Sequence, residues 1–360
     1  MGTPDEWSSP FYRLGSAGSL ASLDDMVATT GADSVEVIAQ WWFDNITSTE
    51  LYPITDPLSP LYTSTDAELT AYVAAARARH LKTVFTLMLD PNWLLPAQAG
   101  CRDHTSPGCF WRGQLGQLWP DDCTPGSLWA TWHANYRAAS LHYAVLAQAW
   151  GMDAFLLSHE LYNPSTHCPA LWARLLADVR GVFSGAVSSV LASSPPDVAA
   201  QAPWAKDLDF AGVDCYFQAP VPPEAVPAVP WADPPLSTLL DAQAKLMPAL
   251  QAMSTALGDK PIVCTEIGGP SRPWAYTTWG GTMLLDPEDC SVWDQCVSVS
   301  ALTLDYEMWL ETYYQQPWFD GFLFWHWRAD PTAGGLSSDG FTVQGKAPTQ
   351  AAILAYWGPK

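Results

Sequence analysis

The chain has 360 residues, 48% of them hydrophobic, which is enough to bury a core as large as that of an α/β barrel. Its 37 acidic residues against 16 basic ones give a formal net charge of −21, and no cluster of Lys and Arg occurs along it. This charge argues against nucleic acid and anionic membrane surfaces as partners and favours a neutral one.

Strand-like apolar runs alternate with helical patterns along the chain. Strands are predicted at residues 35–42, 82–89, 153–160, 187–193, 210–217, 260–266 and 321–327. Helices are predicted at residues 66–79, 127–150, 170–183, 236–256 and 301–314. An eighth strand has to be sought in residues 7–14, where the pattern is weak. The order predicts an α/β fold, a (β/α)8 TIM barrel, with residues 1–360 forming a single catalytic domain.

Three long stretches rich in Pro, Gly and Cys follow predicted strands rather than precede them. They cover residues 90–126, 219–235 and 268–295. In a barrel these are the loops at the C-terminal face of the strands, where binding and catalytic grooves are built.

Two of the predicted strands end in a glutamate, and in a barrel they would be the fourth and the seventh. Glu160 ends the first of them, and Glu266 ends the second, directly before Ile267-Gly268-Gly269. A buried carboxylate is costly unless it has a partner or a task. Either one alone is explained by a solvated strand end or a structural ion pair. Two at matching positions predict the paired carboxyl groups of glycoside hydrolysis.

Aromatic residues at strand ends are candidates for contact with sugar rings, because a flat apolar face stacks well on them. The chain has 20 tryptophans, more than a core of this size needs. Trp325 or Trp327 is predicted to be a sugar platform, together with one of Trp41 and Trp42, since successive side chains of a strand point to opposite faces. Tyr216 ends the strand before that of Glu266 and is expected either to donate a hydrogen bond to it or to be buried with a backbone partner.

Polar residues near the same strand ends are further candidates for substrate contacts. His159 precedes Glu160 and is expected to touch a sugar hydroxyl or to pack behind the site. Asp44 and Asn45 follow the first visible strand, and Arg112 lies in a long loop, where a loop ion pair is the alternative explanation.

Cysteine spacing predicts disulfides and hence an oxidising, extracellular compartment. Six of the eight cysteines lie in loop-like stretches, and the predicted pairs are Cys290–Cys296, Cys101–Cys109 and, by elimination, Cys123–Cys168. Cys215 and Cys264 lie in apolar strand-like runs and are expected to stay reduced. A zinc site is the weaker alternative because no C-x-x-C pair occurs, so we expect no metal and no cofactor.

No apolar run is long enough for a membrane span, and residues 1–6 do not form a signal peptide.

A series of motifs resembles glycoside hydrolase family 113, the β-mannanase family of a retaining (β/α)8 clan. The motifs are residues 31–45 with Gln40-Trp41-Trp42, residues 64–69, Trp111-Arg112-Gly113, residues 132–137, and the closing stretches at 321–327 and 339–348. The resemblance extends from about residue 20 to near the C-terminus. It implies that Glu160 is the general acid/base and Glu266 the nucleophile.

Two stretches depart from the family pattern. Residues 86–90, Thr-Leu-Met-Leu-Asp, stand where the family has a Lys-Pro-His run, and Ser158-His159 stands where it has a small polar pair. We expect a secreted, monomeric, retaining glycoside hydrolase that acts on a neutral β-linked polysaccharide or oligosaccharide, β-1,4-mannan or glucomannan first. The alternatives are another β-glycan, such as β-glucan or a chitosan-like or cell-wall polymer, and a catalytically silent carbohydrate-binding barrel.

Overall fold

The computed structural model describes residues 13–95, 109–191, 202–217, 233–273, 275–277 and 297–358. Its strands are β1 (Ser34–Phe43), β2 (Lys82–Pro91), β3 (Ala154–Leu156), β4 (Ala186–Ser188), β5 (Val190–Leu191), β6 (Ala211–Asp214), β7 (Ile262–Ile267) and β8 (Phe319–Phe324). They form two parallel sheets in the orders β1-β2-β3-β4 and β5-β6-β7-β8. All seven predicted runs contain strands, and the run at 187–193 holds both β4 and β5.

The two sheets are joined on both sides. Ser189 alone separates β4 from β5, and the segment that continues β3 runs beside both of them. The amide of Leu157 donates to the carbonyl of Ser188 at 2.7 Å, and the amide of Val190 donates to the carbonyl of Ser158 at 3.0 Å. On the other side β1 contacts β8. The strands therefore form the parallel ring of a (β/α)8 barrel.

The predicted N-terminal strand at residues 7–14 lies almost wholly outside the described residues. Its last two residues, Arg13 and Leu14, form a bend and a turn before the first helix.

The helices are α1 (Ala17–Thr30), α2 (Asp66–Ala78), α3 (Leu128–Trp150), α4 (Tyr162–Thr166), α5 (Pro169–Arg180), α6 (Leu236–Ala244), α7 (Met247–Ala256), α8 (Val299–Tyr313) and α9 (Ala347–Trp357). Their N-terminal caps follow from local sequence. Thr65 and Glu68 form a reciprocal capping box on α2, and Ser127 caps α3.

No helix in the described ranges combines the length and the apolar character that crossing a bilayer requires.

The single helix predicted at residues 236–256 is wrong, because two helices, α6 and α7, occupy this stretch. Pro248 is the second residue of α7. Proline has no amide hydrogen to donate, and its ring would clash with the carbonyl of Ala244 in a continuous helix. In the first turn of a helix the amide hydrogen has no partner and no preceding turn exists to clash with. Pro248 is therefore compatible with a new helix that begins at Met247.

The disulfide expectations have mixed outcomes. The predicted bridge between Cys123 and Cys168 is confirmed, with a Cα–Cα distance of 5.7 Å. Cys109 is disulfide-bonded, but its predicted partner Cys101 lies outside the described residues, as does the predicted pair Cys290–Cys296.

The expectation that Cys215 and Cys264 stay reduced is wrong. They form a disulfide with a Cα–Cα distance of 5.5 Å. The residue after β6 and a residue of β7 are brought together because the two strands are neighbours in the sheet, where Val213 pairs with Cys264. Apolar surroundings made both residues look like core thiols, but burial does not prevent a bridge between adjacent strands.

A hydrogen-bonded cluster ties the last strand of the barrel to its first helix. The indole Nε1 of Trp327 donates to the carbonyl of Ser22 on α1 at 3.0 Å. The amide of Gln344 donates to the hydroxyl of Ser22 at 3.1 Å and to the carbonyl of Arg328 at 3.1 Å. The segment after β8 is thereby fixed against α1.

We predict that replacing Cys215 and Cys264 together by Ala lowers the free energy of unfolding by about 2–4 kcal/mol, because the bridge restricts a long loop of the unfolded chain. Denaturant unfolding measures the loss. The double Ala variant at Cys123 and Cys168 is the matched control, since the sequence separations of 45 and 49 residues predict similar losses. A non-reduced digest without a peptide linked through Cys215 and Cys264 would contradict the assignment.

Candidate active site

The two predicted glutamates lie at the same end of the barrel. Glu266 is the penultimate residue of β7, and Glu160 lies four residues beyond the end of β3. Glu160 has a φ of 49°, the left-handed conformation, which non-glycine residues seldom adopt. Both side chains are 12% exposed, so each carboxyl group is mostly shielded from water but still reached from one side.

Both carboxylate oxygens of Glu266 accept a hydrogen bond. The hydroxyl of Tyr216 donates to Oε1 at 2.6 Å, and Nε2 of His159 lies 2.6 Å from Oε2. The side chain of His159 is 1% exposed. Short hydrogen bonds to both oxygens favour the ionised form of a carboxyl group.

Glu160 has a different partner. Nη1 of Arg112 donates to Oε2 of Glu160 at 2.6 Å, and Nη2 of the same guanidinium donates to Oδ1 of Asp90 at 2.7 Å. Nε of Arg112 also donates to the carbonyl of Leu89 at 2.7 Å. The amide of Gln40 donates to the other oxygen of Asp90 at 2.7 Å. The C-terminal halves of β1 and β2 therefore hold the arginine that contacts Glu160.

The pKa values of the two glutamates are shifted in opposite directions. Burial raises the pKa of Glu160 above its ordinary value, with Arg112 opposing the shift and the charge of Glu266 adding to it. Burial acts on Glu266 in the same sense, but the hydrogen bonds from His159 and Tyr216 and the charge of His159 lower its pKa below the ordinary value.

Two further carboxyl groups lie deeper in the barrel. Burial raises the pKa of Asp214 well above its ordinary value, and it raises that of Glu36 to about 7. Glu36 accepts a hydrogen bond from the hydroxyl of Thr86. Asp214 is 1% exposed and accepts one from the hydroxyl of Thr265 at 3.3 Å.

His159 gains a proton in this environment. Burial lowers its pKa, but the charges of Asp214 and Glu266 outweigh burial and raise it to about 10. We assign Glu266 as its counter-ion because the two are in direct contact, and Asp90 is likewise the counter-ion of Arg112. Burial raises the pKa of the remaining carboxyl groups, which are Glu36, Glu160 and Asp214.

The predicted aromatic residues lie in different places. Nε1 of Trp41 donates to the hydroxyl of Tyr143 on α3 at 3.0 Å, so its ring lies between sheet and helices. Trp42 is 4% exposed and follows Glu36 and Gln40 by an even number of residues on β1, which places it on their face of the strand.

The two tryptophans after β8 also differ. Trp327 is bound to Ser22 of α1, away from the glutamates. Trp325 lines a cavity between β1 and β8 together with Glu36 and Trp327, and its peptide bond to His326 is cis. Its carbonyl lies against Gly268, where an added Cβ would come within 2.0 Å of the oxygen. Only glycine at this position lets β7 and the end of β8 approach so closely.

Asp44 and Asn45 are exposed and engaged locally. Asp44 accepts a hydrogen bond from the hydroxyl of Tyr52, and Asn45 accepts one from the amide of Thr47 at 2.9 Å. They lie beyond the end of β1, at the rim of the same barrel face, and within the described residues they form no hydrogen bond to either glutamate.

Sequence reasoning did not single out several polar residues of the barrel interior as site residues. Glu36 and Gln40 alternate with other residues along β1, and this period of two is the signal that could have found them. Asp90 is the penultimate residue of β2, just as Glu266 is the penultimate residue of β7. Asp214 carried a weaker signal, a single acid inside an apolar run.

The cluster offers a proton donor and an anionic oxygen at the same end of the barrel. One ring nitrogen of His159 and one oxygen each of Glu160 and Asp214 lie within 4.8 Å of one another, close enough to surround a cation. We assign no metal there, because Glu160 is already paired with Arg112 and His159 with Glu266. A protonated and an ionised carboxyl group are what hydrolysis of a glycosidic bond requires.

Comparison with known proteins adds independent evidence. The model of Glycoside Hydrolase Family 113 matches residues 7–346. Among solved structures, two of GH113 β-1,4-mannanases are each 19% identical, with TM-scores of 0.73 and 0.71, and the alignments cover 98% of this chain and 97% of theirs. A GH113 β-mannanase from Alicyclobacillus acidocaldarius, in complex with ManMIm, is 18% identical with a TM-score of 0.71, covering 98% of this chain and 94% of its own.

At these identities the structural likeness supports the fold alone, and among curated protein sequences no match is found. The family model, in contrast, spans nearly the whole chain. The chain therefore belongs to glycoside hydrolase family 113 and is a glycoside hydrolase with a (β/α)8 fold.

Proposed function

We propose that the enzyme cleaves β-linked glycans with retention of configuration, using Glu266 as nucleophile and Glu160 as general acid/base. The observation that supports the proposal is that the pKa values of the two carboxyl groups are shifted in opposite directions. His159 and Tyr216 favour the ionised form of Glu266, whereas burial favours the protonated form of Glu160. A retaining hydrolase needs this division of states at neutral pH.

The proposed reaction has two steps. In the first, an oxygen of Glu266 forms a bond to the anomeric carbon, the bond to the leaving oxygen breaks with its electron pair, and the proton of Glu160 moves to that oxygen. In the second, the Glu160 carboxylate takes a proton from water while the water oxygen attacks the anomeric carbon. The ester bond to Glu266 breaks, which regenerates both carboxyl groups in their starting states.

For the substrate we propose a neutral polysaccharide, β-1,4-mannan or glucomannan first. The β-1,4-mannanases that resemble the chain support this choice, as does the net charge of −21, which disfavours anionic polymers. We place Trp325 as the sugar platform and Trp42 near the groove, with Asp44 and Asn45 at its rim. Another β-glycan remains the second candidate because Asp90 stands where the family has a Lys-Pro-His run.

We further propose that residues 1–360 form one catalytic domain that acts as a secreted monomer. Disulfides at Cys123–Cys168 and Cys215–Cys264 support an oxidising compartment.

Replacing Glu266 or Glu160 by Gln should lower kcat by about a thousandfold or more, because neither the nucleophile nor the acid can be replaced by binding. Assays on an activated aryl β-glycoside measure the loss for Glu266→Gln, and assays on an oligosaccharide whose leaving group needs protonation measure it for Glu160→Gln. With Ala at position 266, azide should restore turnover and give the inverted glycosyl azide. With Ala at position 160, azide should give the retained product, because the glycosyl-enzyme still forms.

Asp339→Asn is the matched control, since its carboxylate pairs with Arg272 at 2.6 Å outside the cluster, and it should leave the rate within a few-fold of wild type. Near-normal turnover by either Gln variant would remove that residue from its role. A wild type that binds oligosaccharide but releases no phenol would instead support the silent carbohydrate-binding barrel.

Replacing Asp90 by Asn should move the basic limb of the kcat/KM profile to lower pH by about one unit. The charge of Asp90 raises the pKa of Glu160, while Arg112 lowers it. Without the charge of Asp90, nothing offsets the effect of the Arg112 guanidinium on Glu160. The pKa of Glu160 therefore falls, and this residue loses its proton at lower pH. The profile is measured on an oligosaccharide whose leaving group needs protonation.

Asp178→Asn is the control for this experiment, because Asp178 pairs with Arg137 at 2.6 Å on the surface between α3 and α5. Its basic limb should match that of wild type. A folded Asp90→Asn variant with an unmoved basic limb would show that Asp90 does not tune Glu160.

Matched tetrasaccharides test the substrate. β-1,4-Mannotetraose should be cleaved with a kcat/KM at least about tenfold above that of β-1,4-glucotetraose, a difference of roughly 1.4 kcal/mol in transition-state binding. Product sizing by chromatography also reports which bond is cut. A preference for the glucose series would favour the β-glucan alternative and leave the proposed mechanism intact.

A further inference from the structure

His159 lies close to both glutamates rather than to only one of them. Its Nε2 lies 2.6 Å from Oε2 of Glu266, and one of its ring nitrogens lies within 4.8 Å of an oxygen of Glu160. The side chain is 1% exposed, so water does little to screen its charge. Its buried Nδ1 has no hydrogen-bond partner among the residues that the structure describes.

Charged and titratable groups face His159 from several elements. Glu36 acts from β1, Asp214 from β6 and Glu266 from β7, while Glu160 follows it in sequence and Arg112 reaches in from its loop. Of these carboxyl groups, Glu266 is in direct contact with the ring at 2.6 Å, and its ionised form is favoured. A protonated ring is therefore the form that this part of the barrel stabilises.

We propose that His159 is a positioning residue that serves as one fixed cation shared by the two glutamates, first as counter-ion of ionised Glu266 and then as counter-ion of ionised Glu160. This inference rests on the proposed retaining mechanism with these two residues in their roles. It differs from a contact to a sugar hydroxyl, the role expected from sequence, because the ring acts on the carboxyl groups.

Charge balance during the reaction gives the reason. In the free enzyme Glu266 is negative and Glu160 is neutral. After the first step Glu266 is a neutral ester, and Glu160 is negative because its proton has left with the sugar oxygen. One negative charge has thus moved from Glu266 to Glu160, and both lie close to His159. The imidazolium keeps its proton throughout and exchanges one anionic neighbour for the other without leaving its site.

An uncharged side chain at this position cannot do the same. An amide such as asparagine can donate a hydrogen bond to Glu266 but carries no net charge to stabilise Glu160 after the first step. A cation about 4–6 Å from a carboxyl group lowers its pKa by about 1–3 units. His159 lowers the pKa of both glutamates, so its removal should raise both.

The test is His159→Asn, with kcat/KM measured against pH on β-1,4-mannotetraose or on the β-1,4-tetrasaccharide that the wild type cleaves fastest. We expect the acid limb, which reports Glu266, and the basic limb, which reports Glu160, both to move up by about one to three pH units. Tyr216→Phe is the matched comparison. It removes a neutral hydrogen bond from Glu266 alone, so the acid limb should rise and the basic limb should stay.

His133→Gln controls for the loss of a buried histidine. His133 packs against Trp132 and Trp172, and burial lowers its pKa to about 4, so it carries no charge near neutral pH. Neither limb should move in this variant. A His159→Asn enzyme that is slower but has both limbs in the wild-type place would overturn the inference and leave a structural role.

A measurement on the wild type covers the case in which His159→Asn does not fold. Nitrogen NMR of the histidines at pH 8 is compared between the free enzyme and the glycosyl-enzyme trapped with a fluorosugar. An imidazolium at His159 in both states supports the inference, and a neutral ring in either state overturns it. Failure of the proposed mechanism is distinct, because no sugar would then be trapped on Glu266 and Glu266→Gln would remain active.

Discussion

The interior of this barrel has to keep its buried acids close to electrical neutrality. Within the described residues it holds more carboxyl groups than cations, namely Glu36, Asp90, Glu160, Asp214 and Glu266 against Arg112 and His159. An uncompensated buried charge is expensive, so most of the excess has to be carried as bound protons. Hydrogen bonds from His159 and Tyr216 favour the ionised form of Glu266, whereas burial outweighs Arg112 and raises the pKa of Glu160. The division between an ionised Glu266 and a protonated Glu160 is thus a property of the whole cluster.

The fold supplies this cluster from many elements, each of which contributes little by itself. β1 provides Glu36 and Gln40, β2 carries Asp90, β6 ends in Asp214, and β7 carries Glu266. Parallel strands place all their C-terminal ends at one face, so residues far apart in sequence meet without any special connection. The loop that carries Arg112 adds a cation, and the contact of Arg112 with the carbonyl of Leu89 fixes that loop to β2.

The sequence predicted the strands, the family and the two glutamates because each has a local signal. Apolar runs with caps such as Thr65 marked the elements, and Glu160 and Glu266 stood out where such runs end. Proline chemistry also predicts a break in the helix at Pro248, although the apolar pattern alone predicts one continuous helix. Local sequence does not predict two other features. These are the bridge between Cys215 and Cys264 and the contact of His159 with Glu266. Both depend on how the strands are arranged in the barrel. The bridge joins neighbouring strands, and the contact joins residues 107 positions apart, one after β3 and one in β7.

The left-handed backbone at Glu160 has a consequence for how the protein can evolve. A side chain at φ 49° costs the folded state about 1–2 kcal/mol that glycine would not incur. Replacement of Glu160 by glycine would relieve this cost and remove the carboxyl group. Selection for turnover is what opposes such a replacement. Descendants released from that selection are expected to replace this glutamate early while keeping the barrel, which is a direct route from a working hydrolase to a binding protein on the same scaffold.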